Sequence, residues 1–190
     1  MVQRLSIRDA KPEDAPFLAN CILSGLHLSD FSEYPSDYIS DIISALTACE
    51  RREDTLCTYK KTRVAEVNGV LAGALLSYPG ELYGRLREKT LREYWPDFFK
   101  QFSSDDPETD PGEYYLDSLA VLPEYRRLSI GKALLKDGIN IGLSEGFTKI
   151  ALVADSGCPH LMRMYESLGF VPADHRHVFG TDFIRMVYSV

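Results

Sequence analysis

Apolar and polar positions alternate at Leu5 and Ile7 in QRLSIRDA, the period of two expected of a short strand, and the spacing then turns helical in KPEDAPFLANCILSGL. Pro12, Glu13 and Asp14 suit a helix start, where missing donors and the helix dipole favour proline and acids. A second helix is predicted over 36–52, with Ile39, Ile42, Ile43 and Leu46 on one face. TRVAEVNGVLAGALLSY holds two β-branched runs around Asn68-Gly69, which predicts an antiparallel pair, Val64–Val67 with Val70–Tyr78. From Glu81 to Phe102 the pattern becomes aromatic and charged, one or two short helices broken at Pro96, and SSDDPETDPGE follows as a loop. Residues 81–113 read as an insertion between strands.

From 113 onward the alternation is the most regular in the chain: strand (EYYLDSLAV), helix (SIGKALLKDGINIGLSEG), strand (TKIALVAD), helix (CPHLMRMYESLG) and two further strands (FVPADHRHVF and DFIRMVYSV). Ile130, Leu134, Gly138 and Ile141 form the inner stripe predicted for the first of these helices, with Gly146 as its C-terminal cap. Leu161, Met164, Tyr165 and Leu168 form that of the second, between Pro159 and Gly169. Strand, helix, strand implies a right-handed crossover and a parallel pair.

With 190 residues, 45% of them hydrophobic and 26% charged, the chain reads as one globular domain over 1–190. A net charge of −7 speaks against nucleic acid or an anionic membrane as main partner. Cys21, Cys49, Cys57 and Cys158 show no CxxC pairing and read as free thiols in a reducing compartment. No apolar run approaches the length of a membrane span, and the N-terminus lacks a signal-peptide core, so a cytoplasmic protein is expected. Exposed edges of a sheet would allow a homodimer.

Chemistry concentrates in YYLDSLAVLPEYRRLSIGKALL, where a strand ends at Val121 and a helix starts near Ser129. The first turn of such a helix aims N–H groups outward as an anion site, and small residues at Ser129 and Gly131 would let a phosphate approach. Residues 124–136 carry four bases (Arg126, Arg127, Lys132, Lys136) against one acid, Glu124. Gly131-Lys132 fails the GxxxxGK[ST] phosphate loop, with Arg126 at the first glycine position and Ala133 after the lysine, and GxGxxG is absent.

This stretch resembles the cofactor-binding core of the GNAT superfamily of N-acetyltransferases, whose motif is [RQ]xxGx[GA] after a strand ending in an LAV-like triplet. The match is Arg126-Arg127-Leu128-Ser129-Ile130-Gly131 after Leu119-Ala120-Val121, with Ser129 in place of the first glycine. A second block, LVADSGCPHLMRMYESLGF, supplies Tyr165 and Leu168-Gly169-Phe170, with Cys158 where asparagine is common. The resemblance implies an α/β (α+β) fold with a mixed, largely antiparallel central sheet flanked by helices and splayed where the cofactor enters. It also implies transfer of the acetyl group of acetyl-CoA to a primary amine by direct attack. Leu119, Ala120 and Val121 would pair with the pantetheine arm through the main chain. Arg126, Arg127, Leu128, Ser129, Ile130, Gly131 and Lys132 would surround the pyrophosphate.

Tyr165 is then the candidate acid for the departing thiolate, and plain core packing is its competing reading. Candidate bases are Glu113 and Asp117, which share strand parity, and Glu66, with His27 and His160 behind them. His175 and His177 have no acid or cysteine at ligand spacing, and no metal is predicted. Tyr34, Tyr38, Tyr83, Tyr94, Trp95, Phe98 and Phe99 could wall an acceptor pocket or bury the insertion. Asp105, Asp106, Glu108, Asp110 and Glu113 suggest a cationic acceptor or a solvated loop. The competing function is a noncatalytic acyl-CoA-binding sensor or interaction module on the same fold.

Overall fold

The alternating N-terminal segment is strand β1 (Leu5–Asp9) in the computed structural model, which describes residues 4–25, 36–96, 100 and 105–190. Pro12–Asp14 form a 3-10 turn ahead of helix α1 (Ala15–Gly25) rather than its first turn. The cause is the buried Asp14 carboxylate, which accepts the Lys11 N–H at 2.8 Å and pairs with Arg8 at 2.7 Å. Helix α2 (Ser36–Glu50) precedes the hairpin of β2 (Thr62–Val67) and β3 (Val70–Pro79). Its turn residues, Asn68 and Gly69, have φ of 53° and 81°, the left-handed geometry that selects Asn-Gly. Helix α3 (Tyr83–Tyr94) starts the segment read as an insertion. Strand β4 (Tyr114–Val121), helix α4 (Ile130–Ser144), strand β5 (Lys149–Asp155), helix α5 (Pro159–Glu166), and strands β6 (Val171–Val178) and β7 (Thr181–Ser189) complete the order.

The strands run β1-β2-β3-β4-β5-β7-β6 in one mixed, mostly antiparallel sheet flanked by helices, as expected. The parallel pair is β4 with β5, in register at Tyr114 with Ile150 and Tyr115 with Ala151. Contacts divide the chain into two compact units, one holding residues up to Leu76 and Ser118–Leu135, the other Ser77–Asp117 and Lys136–Val190.

In the first unit, Ala10, Leu18, Cys21, Val64 and Ala74 form a buried cluster, with Phe17, Tyr59, Leu71 and Ala120 packed against it. Gly73 is required where β3 meets β4, because a Cβ there would stand 2.7 Å from the Ala120 carbonyl oxygen. The Leu122 N–H donates to the Ala72 carbonyl at 2.9 Å, which fixes the end of β4.

The second unit is built on aromatic residues, with Tyr115 packed edge-on to both Tyr78 (5.8 Å) and Tyr83 (6.2 Å), and Phe170 against Tyr165 and Tyr188. Helix α4 departs from the predicted stripe: Ile130, Leu134 and Gly138 are buried, but Ile141 is half-exposed and the buried face continues over Leu135, Ile139 and Gly142. Gly142 explains the turn of that face, since a Cβ there would stand 2.8 Å from the Tyr114 ring. Gly146 (φ 91°) and Gly169 (φ 98°) end their helices in left-handed geometry, with 6→1 bonds from Phe147 to Gly142 and from Phe170 to Tyr165. Among the described residues no helix is long and apolar enough to cross a membrane.

Candidate active site

The turn from β4 to α4 lies wholly in the first unit. Pro123–Tyr125 make a 3-10 turn after Val121, and Arg127 and Ser129 follow with φ of 64° and 61°. The first i→i−4 bond of α4 runs from the Ala133 N–H to the Ser129 carbonyl at 3.0 Å, so the N–H groups of Ile130 and Gly131 precede the helical ladder. Left-handed Ser129 followed by helical Ile130 curls successive N–H groups into a concavity suited to an anion. The Ile130 side chain is buried, which anchors the turn, while Arg126, Arg127, Leu128, Ser129 and Lys132 are exposed. Leu119, Ala120 and Val121 are half-buried, and the Leu119 and Val121 side chains approach the Cβ position of Gly131 to 3.7 and 3.8 Å. Arg126 Nε donates to the Val121 carbonyl at 3.2 Å, tying that guanidinium back to the strand end.

The same unit contains a small cavity of about 10 Å³, room for about one water molecule, lined by Leu18, Leu76, Thr62, Ser118, Cys21 and Glu50. Glu50, the last residue of α2, is only 1% exposed, and its charge adds to burial in pushing the Cys21 thiol up to about 12. Glu50 and Ser118, one residue before Leu119, both line this cavity.

In the second unit, Tyr165 lies 8% exposed on α5, and its hydroxyl has no hydrogen-bond partner among the described residues. Burial, with Cys158 adding to it, pushes the phenol up to about 12, so it holds its proton at neutral pH. Cys158 caps α5, donating its N–H to the Asp155 carbonyl at 3.0 Å. Asp117 is half-buried and accepts a hydrogen bond from the Tyr78 hydroxyl. Glu108 accepts from Tyr115 at 2.6 Å and Tyr83 at 2.8 Å, and burial, then the Asp117 charge, raise its carboxyl to about 7.

The family profile described as "Acetyltransferase (GNAT) family" matches residues 23–170. The chain belongs to the GNAT acetyltransferase family. Among solved structures, an acetyltransferase is 26% identical with a TM-score of 0.76, covering 97% of this chain and 99% of its own. An N-acetyltransferase from Staphylococcus aureus Mu50 is 23% identical with a TM-score of 0.78, covering 96% and 99%. The PaiA N-acetyltransferase from Thermoplasma acidophilum, in complex with coenzyme A, is 18% identical with a TM-score of 0.56, covering 98% and 99%. Among curated proteins none matches.

For a GNAT chain, the placement of Ser129 says what the motif glycine is for. The position demands positive φ, which costs an L-residue about 1–2 kcal/mol and glycine nothing. The acidic run does not form a free field. Asp105 accepts the Phe179 N–H (2.7 Å), Asp106 that of His177 (2.8 Å), and Asp110 pairs with Arg176 (3.0 Å). Glu113, 3% exposed, is ion-paired with Arg185 and accepts from Thr109 (3.1 Å) and the Asp110 N–H (3.0 Å). Glu66 is paired with Arg8 at 2.7 Å, and His160 is exposed. His27, Tyr34, Phe98 and Phe99 lie outside the described residues. Sequence reasoning missed Glu50 altogether and took Glu108 as one acid in a run; a lone acid ending an otherwise apolar helix face was the signal for Glu50.

Replacing Ser129 with glycine is expected to stabilise the protein by about 1 kcal/mol, a Tm rise of about 2–4 °C, and an unchanged or lower Tm would contradict a strained turn. Glu108 gives a pH signature. Its folded carboxyl titrates at about 7 against 4.5 in the unfolded chain, so unfolding releases a proton between those values. Stability therefore falls as pH rises through that window, and the deficit is complete above it. Melting wild type and Glu108→Gln between about pH 5 and 8 should show the variant gaining on wild type as pH rises; a constant difference would sink the assignment.

Proposed function

We propose that this chain transfers the acetyl group of acetyl-CoA to a primary amine by direct attack, in the cytoplasm. The observation that carries the reading is the β4–α4 turn, with its left-handed Ser129, outward N–H groups and exposed bases. These features fit a pyrophosphate: the amides and the dipole favour an anion, and Gly131 adds no bulk at the helix start. The main chain of Leu119–Val121 would bind the pantetheine arm, and Arg127 and Lys132 would neutralise phosphate charge. Acetyl-CoA supplies a thioester carbonyl, at which the C–N bond forms as the C–S bond breaks.

Tyr165 is assigned the proton delivered to the departing sulfur, since a phenol held near 12 is fully protonated at neutral pH and can donate without first acquiring charge. Asp117 is assigned the amine proton, with Tyr78 orienting it. Glu113 leaves the proposal, because Arg185, Thr109 and the Asp110 N–H already engage both its oxygens. The acceptor is read as a cationic amine, without support from the acidic run, and Glu50 is the carboxylate of the first unit that would meet it if the small cavity it lines opens to the acceptor.

Acetyl-CoA at about 100-fold its Kd should add roughly 2.7 kcal/mol of stability; absence of any shift would remove the cofactor assignment. Tyr165→Phe should keep that shift while kcat in a thiol-release assay falls by about 100-fold or more. Binding with no thiol release across polyamines, amino acids, aminoglycosides and basic peptides would instead favour an acyl-CoA sensor. Once an acceptor is found, Glu50→Gln should raise its KM by about 10-fold or more, as loss of a charged hydrogen bond does, with the acetyl-CoA KM unchanged. An unchanged acceptor KM would exclude Glu50 from recognition.

A further inference from the structure

Glu108 and Asp117, both half-buried, are reached by three phenols that pack on one another. Tyr115 donates to Glu108 Oε2 at 2.6 Å and Tyr83 donates to Glu108 Oε1 at 2.8 Å, so each oxygen of that carboxylate holds a phenol hydroxyl. The Tyr115 ring stands edge-on to Tyr78 at 5.8 Å, and the Tyr78 hydroxyl donates to Asp117 Oδ2. Tyr115 and Asp117 are two residues apart on β4 and so face the same side of the strand, with Cα atoms about 6.5 Å apart. All five residues belong to the second unit. Tyr78 and Tyr115 are 0% exposed and Tyr83 4%, so the rings that flank the two carboxylates keep water from screening one from the other. The cation acting on Glu108 is Arg87 of α3, which lies over the Tyr83 ring at 6.0 Å and stands 3.7 Å from Asp105.

We propose that Glu108 is a positioning residue for acetyl transfer: fixed by Tyr115 and Tyr83 on the side of β4 that carries Asp117, its charge makes Asp117 a stronger base toward the amine proton. The proposal rests on the assignment of Asp117 as that base. Two negative charges flanked by buried rings repel, and a proton on either one relieves the repulsion. Burial, then the Asp117 charge, raise the Glu108 carboxyl to about 7 against the two phenol donors and Arg87. Coupling of this kind is mutual, so a charged Glu108 raises the proton affinity of Asp117 by the same amount. When the attacking amine gives its proton to Asp117, one negative charge disappears and the repulsion goes with it. Glu108 is charged above about pH 7 and lends that assistance; below it Glu108 is neutral and the assistance is lost.

The full chain, isotopically labelled at its carboxyl carbons, is to be titrated by NMR, with the Glu108 signal identified by its loss in Glu108→Gln. Glu108 should titrate near 7 in the wild type. In Asp117→Asn, which still offers Tyr78 an acceptor, its midpoint should fall by about 1 pH unit. Once an acceptor is found, the wild-type to Glu108→Gln ratio of kcat/KM should climb by about 3- to 10-fold as pH rises through neutrality, a comparison in which titration of the amine itself cancels. Glu108→Asp, which keeps a charge, should restore that climb. A Glu108 midpoint unmoved by Asp117→Asn, or a ratio flat with pH while Asp117→Asn is inactive, would overturn the proposal and leave Asp117 as the base. Full activity in Asp117→Asn would overturn the base assignment instead, and the role of Glu108 with it.

Discussion

The reversal of the chain between Val121 and Ile130 is the constraint on which the cofactor side depends. A strand end must become a helix start with its first N–H groups facing outward, and here that puts Arg127 and Ser129 into left-handed backbone. Each such residue costs about 1–2 kcal/mol, whereas burying one isoleucine side chain returns about 1.5–3 kcal/mol. Ile130 supplies that burial immediately after the strained residues, and the Leu122 to Ala72 hydrogen bond fixes the other end of the turn. The strain is held between two anchors, so the amides keep their direction without a ligand to order them. Preformed donors lose less entropy on binding than donors on a loose loop.

A different constraint governs the second unit, where one acidic segment supplies a buried carboxylate, Glu113, and a half-buried one, Glu108, treated in opposite ways. Glu113 is matched with the Arg185 guanidinium, itself shared with Asp174 at 2.5 Å and Asp110 at 3.3 Å, and buries its charge in a paired network. Glu108 receives two phenol donors, and burial together with the Asp117 charge outweighs them, so its carboxyl moves toward neutral pH. A charge without a full partner in a low-dielectric interior takes up a proton, and a charge with one does not. The pair explains why Glu113 is structural while Glu108, beside the Asp117 charge, is the carboxyl raised toward neutral pH.

Features set by neighbours along the chain were legible beforehand. The hairpin at Asn68-Gly69, the helix stops at Gly146 and Gly169, and the strand–helix–strand order follow from local steric and periodic rules that any sequence displays. The 3-10 turn at Pro12–Asp14 was not, because it depends on Arg8 holding Asp14 from the preceding strand. Nor was the drift of the buried face of α4 past Ile141, which needs Tyr114 opposite Gly142. The acidic run misled for the same reason: its partners, Arg176 and Arg185, lie 66 and 72 residues away, and a charge run looks solvated until those partners are placed. Ser129 was visible as a departure from the motif, but its reason is a dihedral angle, which composition does not display.

The net charge of −7 therefore divides in a way that bears on how each substrate would be recognised. The bases of the β4–α4 turn are exposed, so their pull on an anion acts at a distance and weakens with salt. Most of the acids of 105–113 are committed to arginines, phenols and backbone N–H groups of their own unit, and project little field outward. In the first unit Glu50 is almost wholly removed from water, and as the proposed partner of a cationic acceptor its charged form would be favoured by that cation. At a separation of 4 Å two unit charges interact by about 1 kcal/mol in water and about 4 kcal/mol at an effective dielectric near 20. One buried carboxylate can thus discriminate a cationic amine from a neutral one more sharply than a string of exposed acids, and salt should weaken that discrimination less than it weakens cofactor capture.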